Sequence, residues 1–127
     1  MIRKASLVAA AVALTAVFAF AQEAEKKSVK VTGYVIDNMC AAGEHGTEEQ
    51  AKDHGTACAL MPGCRKSGYT IVSGDKSYKL DERGNTLVAE VLNSTKTKKG
   101  LKVDAEGTLE GDTLQVARLA EAKSEAK

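Results

Sequence analysis

The sequence predicts a mainly β domain: a five-stranded barrel with one helix between strands three and four and a short helical Cys/His insert after strand one. Three observations carry this. Two pairs of short β-type runs are joined by tight polar turns, Gly74-Asp75 and Glu110-Gly111-Asp112, which is a hairpin signal. One stretch, Thr86–Asn93, places Leu87, Val88, Val91 and Leu92 at helical spacing,. Between the first strand and the first hairpin, alternation stops for about thirty residues,.

Ser28–Asp37 reads as the first strand. Val29, Val31, Gly33 and Val35 point one way, and Lys30, Thr32, Tyr34 and Ile36 the other,. Gly33 inside it signals a bulge or a sharp bend. The insert, 38–68, follows. Thr47-Glu48-Glu49-Gln50 is a capping box opening a short helix, which Gly55 would stop,. Thr56 is placed to cap a turn over Ala57–Met61. Pro62 either interrupts that turn or opens another through Lys66, and Gly68 closes the segment,.

Tyr69–Ser73 and Lys76–Leu80 form the first hairpin. Asp81–Asn85 reads as a polar turn, with Asn85 capping the helix Thr86–Asn93. Lys96–Gly100 is a basic loop. Leu101–Leu109 and Thr113–Leu119 form the second hairpin, and 120–127 is a charged, Ala-rich tail expected to fray,. Five strands with a helix between the third and fourth is the element order of the OB-fold, a small Greek-key barrel.

The chain has 127 residues, enough for a single domain,. Met1–Lys4 carries two positive charges, Ala5–Phe20 is apolar except for Ser6 and Thr15, and Ala19-Phe20-Ala21 is a small-x-small exit. These are the parts of a secretory signal peptide, 1–21, cleaved after Ala21. The apolar run of about 16 residues is shorter than the roughly 20 that span a bilayer, so no membrane anchor is expected. The expectation is a periplasmic or secreted protein with a loose lead-in, 22–27, and a single domain, 28–119. That compartment permits disulfides.

Lys and Arg total 18 against 17 Asp and Glu. Losing Arg3 and Lys4 with the signal leaves 16 against 17, a net charge of −1. A near-neutral chain with three Tyr as its only mature aromatics lacks the basic, stacking surface that nucleic acid requires,. Lys96, Lys98, Lys99 and Lys102 read as a solvated hairpin rim, and Tyr34, Tyr69 and Tyr78 as barrel packing.

All three Cys (Cys40, Cys58, Cys64), both His (His45, His54) and both mature Met (Met39, Met61) lie in or beside residues 40–64. Three chemistries compete for them. A disulfide, Cys40 with Cys64 and Cys58 left free, would staple the ends of the insert and stabilise it by roughly 2–4 kcal/mol through the unfolded state. Cys40 with Cys58 is a second pairing and Cys58 with Cys64 a tight-loop third, and connectivity does not follow from sequence. A metal site would use Cys40, His54, Cys58 and Cys64, a Cys₃His set suited to zinc. Met61 or Met39 added to it would suit Cu(I). A reactive thiol would be Cys58, near a helix start and four residues from His54. Asp37, Glu44, Glu48, Glu49 and Asp53 surround the segment and read mainly as a solvated face, with outer contacts to a ligating His as the alternative. His45 reads as an exposed loop residue.

Val31-Thr-Gly-Tyr-Val-Ile-Asp37 and Gly100-Leu-Lys-Val-Asp with Gly107-Thr-Leu-Glu-Gly-Asp-Thr-Leu-Gln-Val-Ala resemble the first strand and last hairpin of small exported bacterial OB-fold proteins. Asp37-Asn-Met-Cys40 with His54-Gly-Thr-Ala-Cys58, Cys64 and Ser67-Gly68-Tyr69 resembles a group of these with a Cys/His segment after strand one. The resemblance implies architecture and no activity. This chain departs from it at Met61-Pro62-Gly63, where an unbroken helix between the cysteines is expected. The function expected is that of a binding or accessory protein, with a metal ion or another protein as partner. Thiol redox chemistry is the sole catalytic candidate, since no Ser/His/Asp order and no phosphate-binding glycine loop is present.

Overall fold

Residues 27–41 and 46–123 are described in a computed structural model. Strand β1 (Lys27–Asp37) has two neighbours along its length. Lys27–Tyr34 lies antiparallel to β4 (Lys102–Glu110), and Tyr34–Asp37 lies antiparallel to β2 (Tyr69–Ser73). Gly33 sits where the partner changes. A Cβ there would fall 2.4 Å from the Val72 carbonyl oxygen, so the close approach of β1 to β2 at the bend needs glycine.

Strand β2 turns through Gly74-Asp75 into β3 (Lys76–Leu80), and β4 turns through Gly111-Asp112 into β5 (Thr113–Glu121), both antiparallel. A short parallel ladder, Lys79 with Thr113 and Leu80 with Leu114, joins β3 to β5. The order β1-β2-β3-β5-β4 then returns to β1 and closes the barrel. Closure gives each strand a neighbour on both sides over at least part of its length,. Both hairpins fall where the sequence places them.

Alternation along the strands fills the interior. Val31, Val35, Ile71, Val103, Leu114 and Val116 are buried inside, joined by Leu101 and Tyr69. Helix α5 (Glu82–Ser94) lies between β3 and β4 in the chain and lays Val88, Ala89 and Leu92 against this core. It starts four residues earlier than its apolar stripe suggests. Asp81, not Asn85, is the N-cap, and its Oδ1 accepts from the Gly84 N–H at 2.9 Å and the Val116 N–H at 3.2 Å. Asn85 instead accepts from the Tyr69 N–H at 2.9 Å, tying the helix to β2. A first turn without apolar residues hides a helix start from periodicity, although Asp81-Glu82 has the charge pattern of one.

The described residues of the insert form four short helices: α1 (Asn38–Ala41), α2 (Glu48–Asp53), α3 (Thr56–Ala59) and α4 (Pro62–Ser67). The capping box at Thr47 forms as expected, with Gln50 returning the bond. Thr56 is the first residue of α3 and not its cap. Its hydroxyl donates to the Thr97 carbonyl at 2.9 Å. Pro62 opens α4, so the second and third cysteines lie on separate helices. Helix α1 has no apolar periodicity and is not foreseen. At the other end β5 runs to Glu121, and the Ala122 N–H donates to the Lys102 carbonyl at 2.8 Å. The residues from 120 that read as a tail therefore begin as strand. The expected signal peptide 1–21, most of the lead-in, His45, Glu44 and residues 124–127 lie outside the described residues.

Candidate metal centre

The centre is built on the last residue of β1. Asp37 follows Val35 and Ile36, where the strand is covered on both faces, and it is 0 % exposed. The expectation of a solvated acid is therefore wrong for this residue. Its Oδ1 accepts from the Cys40 N–H at 3.0 Å, the side-chain turn that opens α1 and fixes Cys40 three residues on,.

Helix α1 is held against the end of α4. The Asn38 N–H donates to the Gly68 carbonyl at 2.9 Å, Asn38 Nδ2 donates to the Ser67 carbonyl at 2.8 Å, and the Met39 N–H donates to Ser67 Oγ at 3.2 Å. This brings Cys40, on α1, and buried Cys64, on α4, to the same carboxylate.

His54 links α2 to α3 in extended backbone and is sewn to the basic loop. Its carbonyl accepts from the Gly100 N–H at 3.0 Å, and the Thr56 N–H donates to the Lys98 carbonyl at 3.0 Å. So placed, its Nε2 lies 2.8 Å from Asp37 Oδ2, with the imidazole side chain 12 % exposed. His54 is the sole basic side chain in an ion pair with Asp37 among the described residues.

Asp37, Cys40 and His54 offer one oxygen, one sulfur and one nitrogen, all within 4.8 Å of one another. Burial pushes the Asp37 carboxyl upward, but the Cys40 N–H and thiol and the charge and hydrogen bond of His54 outweigh it and hold the pKa below its ordinary value. Burial, followed by the charge of Asp37, pushes the Cys40 thiol up to about 11. The same two causes raise Cys64. Both thiols are thus protonated around a carboxylate that stays ionised.

A cavity of about 860 Å³ opens over the group, with Cys40, His54 and Cys58 along it and Glu49, Gln50 and Asp53 of α2 at its side. Of the residues singled out in the sequence, Cys40 and His54 share one cluster, while buried Cys64 feels the charge of Asp37 but stands outside the trio. Cys58 is exposed and stands outside the trio. Met61 is 56 % exposed. All three cysteines are free thiols here, Cys40 half-buried, Cys58 exposed and Cys64 buried. Residue type alone undervalues Asp37, whose sequence signal is an acid ending an apolar strand three residues before a cysteine. No helix among the described residues is long and apolar enough to cross a membrane. No family model, curated protein or solved structure matches the chain.

Proposed function

We propose that this is an exported binding protein of OB-fold type that takes up a transition metal at Asp37, Cys40 and His54, with Cys64 as the fourth donor. The carrying observation is a fully buried carboxylate whose ion-pair partner is one imidazole, set beside two thiols. A buried charge is stable only when paired. A cation seated between Oδ2 and Nε2 in place of the proton there would supply that charge.

The donor set suits zinc. Zn–S bonds are about 2.3 Å and Zn–N and Zn–O about 2.0–2.2 Å, so tetrahedral neighbours sit roughly 3.5 Å apart. To reach this, Asp37 Oδ2 and His54 Nε2, 2.8 Å apart, must open slightly, while the trio as a whole already lies within 4.8 Å. Cu(I), which prefers sulfur, is served less well by a carboxylate. The strand order with one helix between β3 and β4 supports the OB-fold reading,. The charged start and apolar run of the sequence support export,. A binding role is favoured over catalysis.

Zn²⁺ titration of the reduced protein against a chromophoric chelator tests this reading. One equivalent should bind to the wild type, and His54→Ala and Cys64→Ser should each weaken it at least tenfold. Unchanged binding in both variants overturns the assignment. A second reading, a reversible Cys40–Cys64 disulfide, is supported by the two thiols meeting at one carboxylate. Intact mass of the exported protein separates the two. A metal adduct favours the first, and a loss of two hydrogens with one alkylatable cysteine favours the second.

A further inference from the structure

The inner centre leaves three soft donors unused, and all three are on the surface. Met39 and Met61 are the exposed large apolar side chains among the described residues, at 60 % and 56 %. Cys58 is the exposed thiol. The Met61 N–H donates to the Cys58 carbonyl at 3.1 Å. In such an i to i+3 turn the two side chains stack on one face. Met39 comes to the start of α4 from α1: its terminal methyl lies 3.6 Å from where a Cβ on Gly63 would be, two residues past Met61.

We propose that Cys58, Met61 and Met39 form a second, all-sulfur site that binds Cu(I) at the edge of the cavity. One thiolate and two thioethers make a three-coordinate donor set, and soft sulfur ligands select Cu(I) over harder ions. On binding, the Cys58 thiol gives its proton to solvent and the sulfur bonds to the ion. The ion arrives already as Cu(I), so no electron transfer is involved. Zinc gains little there, because the site lacks the carboxylate and imidazole that the inner centre provides. Cys58 lines the cavity that also holds Cys40 and His54, so the site borders that cavity at Cys58. The proposal does not depend on zinc binding within.

The test is an anaerobic titration of the reduced full protein with Cu(I) against a chromophoric Cu(I) chelator. Methionine methyl signals are followed by NMR in a parallel sample. The wild type should bind Cu(I), and the Met39 and Met61 methyl signals should both move at the first equivalents. Met39→Leu/Met61→Leu, which preserves volume on an exposed face, and Cys58→Ser should each weaken Cu(I) binding at least tenfold. Zn²⁺ affinity should stay within twofold. Unmoved methyl signals, or Cu(I) affinity within twofold of wild type in both variants, overturns the proposal. Loss of Cu(I) binding in these variants, in a protein whose wild type binds no zinc, upholds this site and rejects the inner one.

Discussion

Asp37 Oδ2 lies 2.8 Å from His54 Nε2, joining the end of the first strand to the hinge between two helices seventeen residues on. The carboxylate has no access to solvent, so this contact organises both the insert and the donor set. Asp37→Asn keeps the shape and removes the charge. Hydrogen bonds to charged groups contribute about 1.5–3 kcal/mol, and a loss of that size is expected in urea unfolding. Zn²⁺ affinity should fall at least about 100-fold, because both a ligand and the negative charge are lost. Retained affinity would remove Asp37 from the centre.

The thiols should differ in reactivity in an order set by position. Cys58 is exposed, Cys40 half-buried and Cys64 buried. Cys40 is also raised to about 11. The thiolate is the reacting form, so at pH 8 roughly one Cys40 in a thousand is reactive. Its alkylation should quicken about tenfold per pH unit and level off near pH 11. Iodoacetamide with peptide mapping should mark Cys58 first and Cys40 and Cys64 far later. Equal rates at the three positions would contradict the folded insert.

The barrel was legible in the sequence because its signals are local. Alternating valines mark β1, and Gly74-Asp75 and Gly111-Asp112 turn the two hairpins. The insert was legible in part. Thr47 and Pro62 announce helix starts through their own chemistry, whereas α1 depends on Asp37 and Ser67, distant in the chain from one another. The donor set was only half legible for the same reason. Cys40 and His54 are recognisable as residue types, whereas Asp37 stands out only through its burial, and the helices that pack on β1, α1, α2 and α4, come from later in the chain. The parallel closure of β3 on β5 likewise has no local mark.

Asp81 tests the helix start that periodicity misplaces. Its carboxylate serves the Gly84 N–H at the N-terminus of α5 and the Val116 N–H on β5. Asp81→Ala removes a cap worth about 1–2 kcal/mol, and the orphaned Val116 N–H adds to the cost. Asn85→Ala breaks a different bond, to the Tyr69 N–H, and leaves the cap intact. Far-UV circular dichroism during thermal unfolding should therefore show a lower midpoint in both. Amide exchange at Gly84 should accelerate in Asp81→Ala alone. Acceleration in Asn85→Ala as well would return the cap to Asn85.

Gly100 and Gly111 form a matched pair that separates backbone strain from crowding at the centre. Both have φ of +63°, a conformation that costs an L-residue roughly 1–2 kcal/mol. A Cβ on Gly111 meets nothing within 4 Å, whereas one on Gly100 would fall 2.3 Å from the Lys52 carbonyl oxygen at the end of α2. Gly100 also donates its N–H to the His54 carbonyl. Gly111→Ala should lose only the backbone cost and bind Zn²⁺ as the wild type does. Gly100→Ala must push α2 away from the basic loop, which adds a steric penalty of about 1–3 kcal/mol and shifts His54 from Asp37. Its zinc affinity should drop at least tenfold in the same titration. Equal effects of the two substitutions would mean that the loop at Gly100 does not position His54.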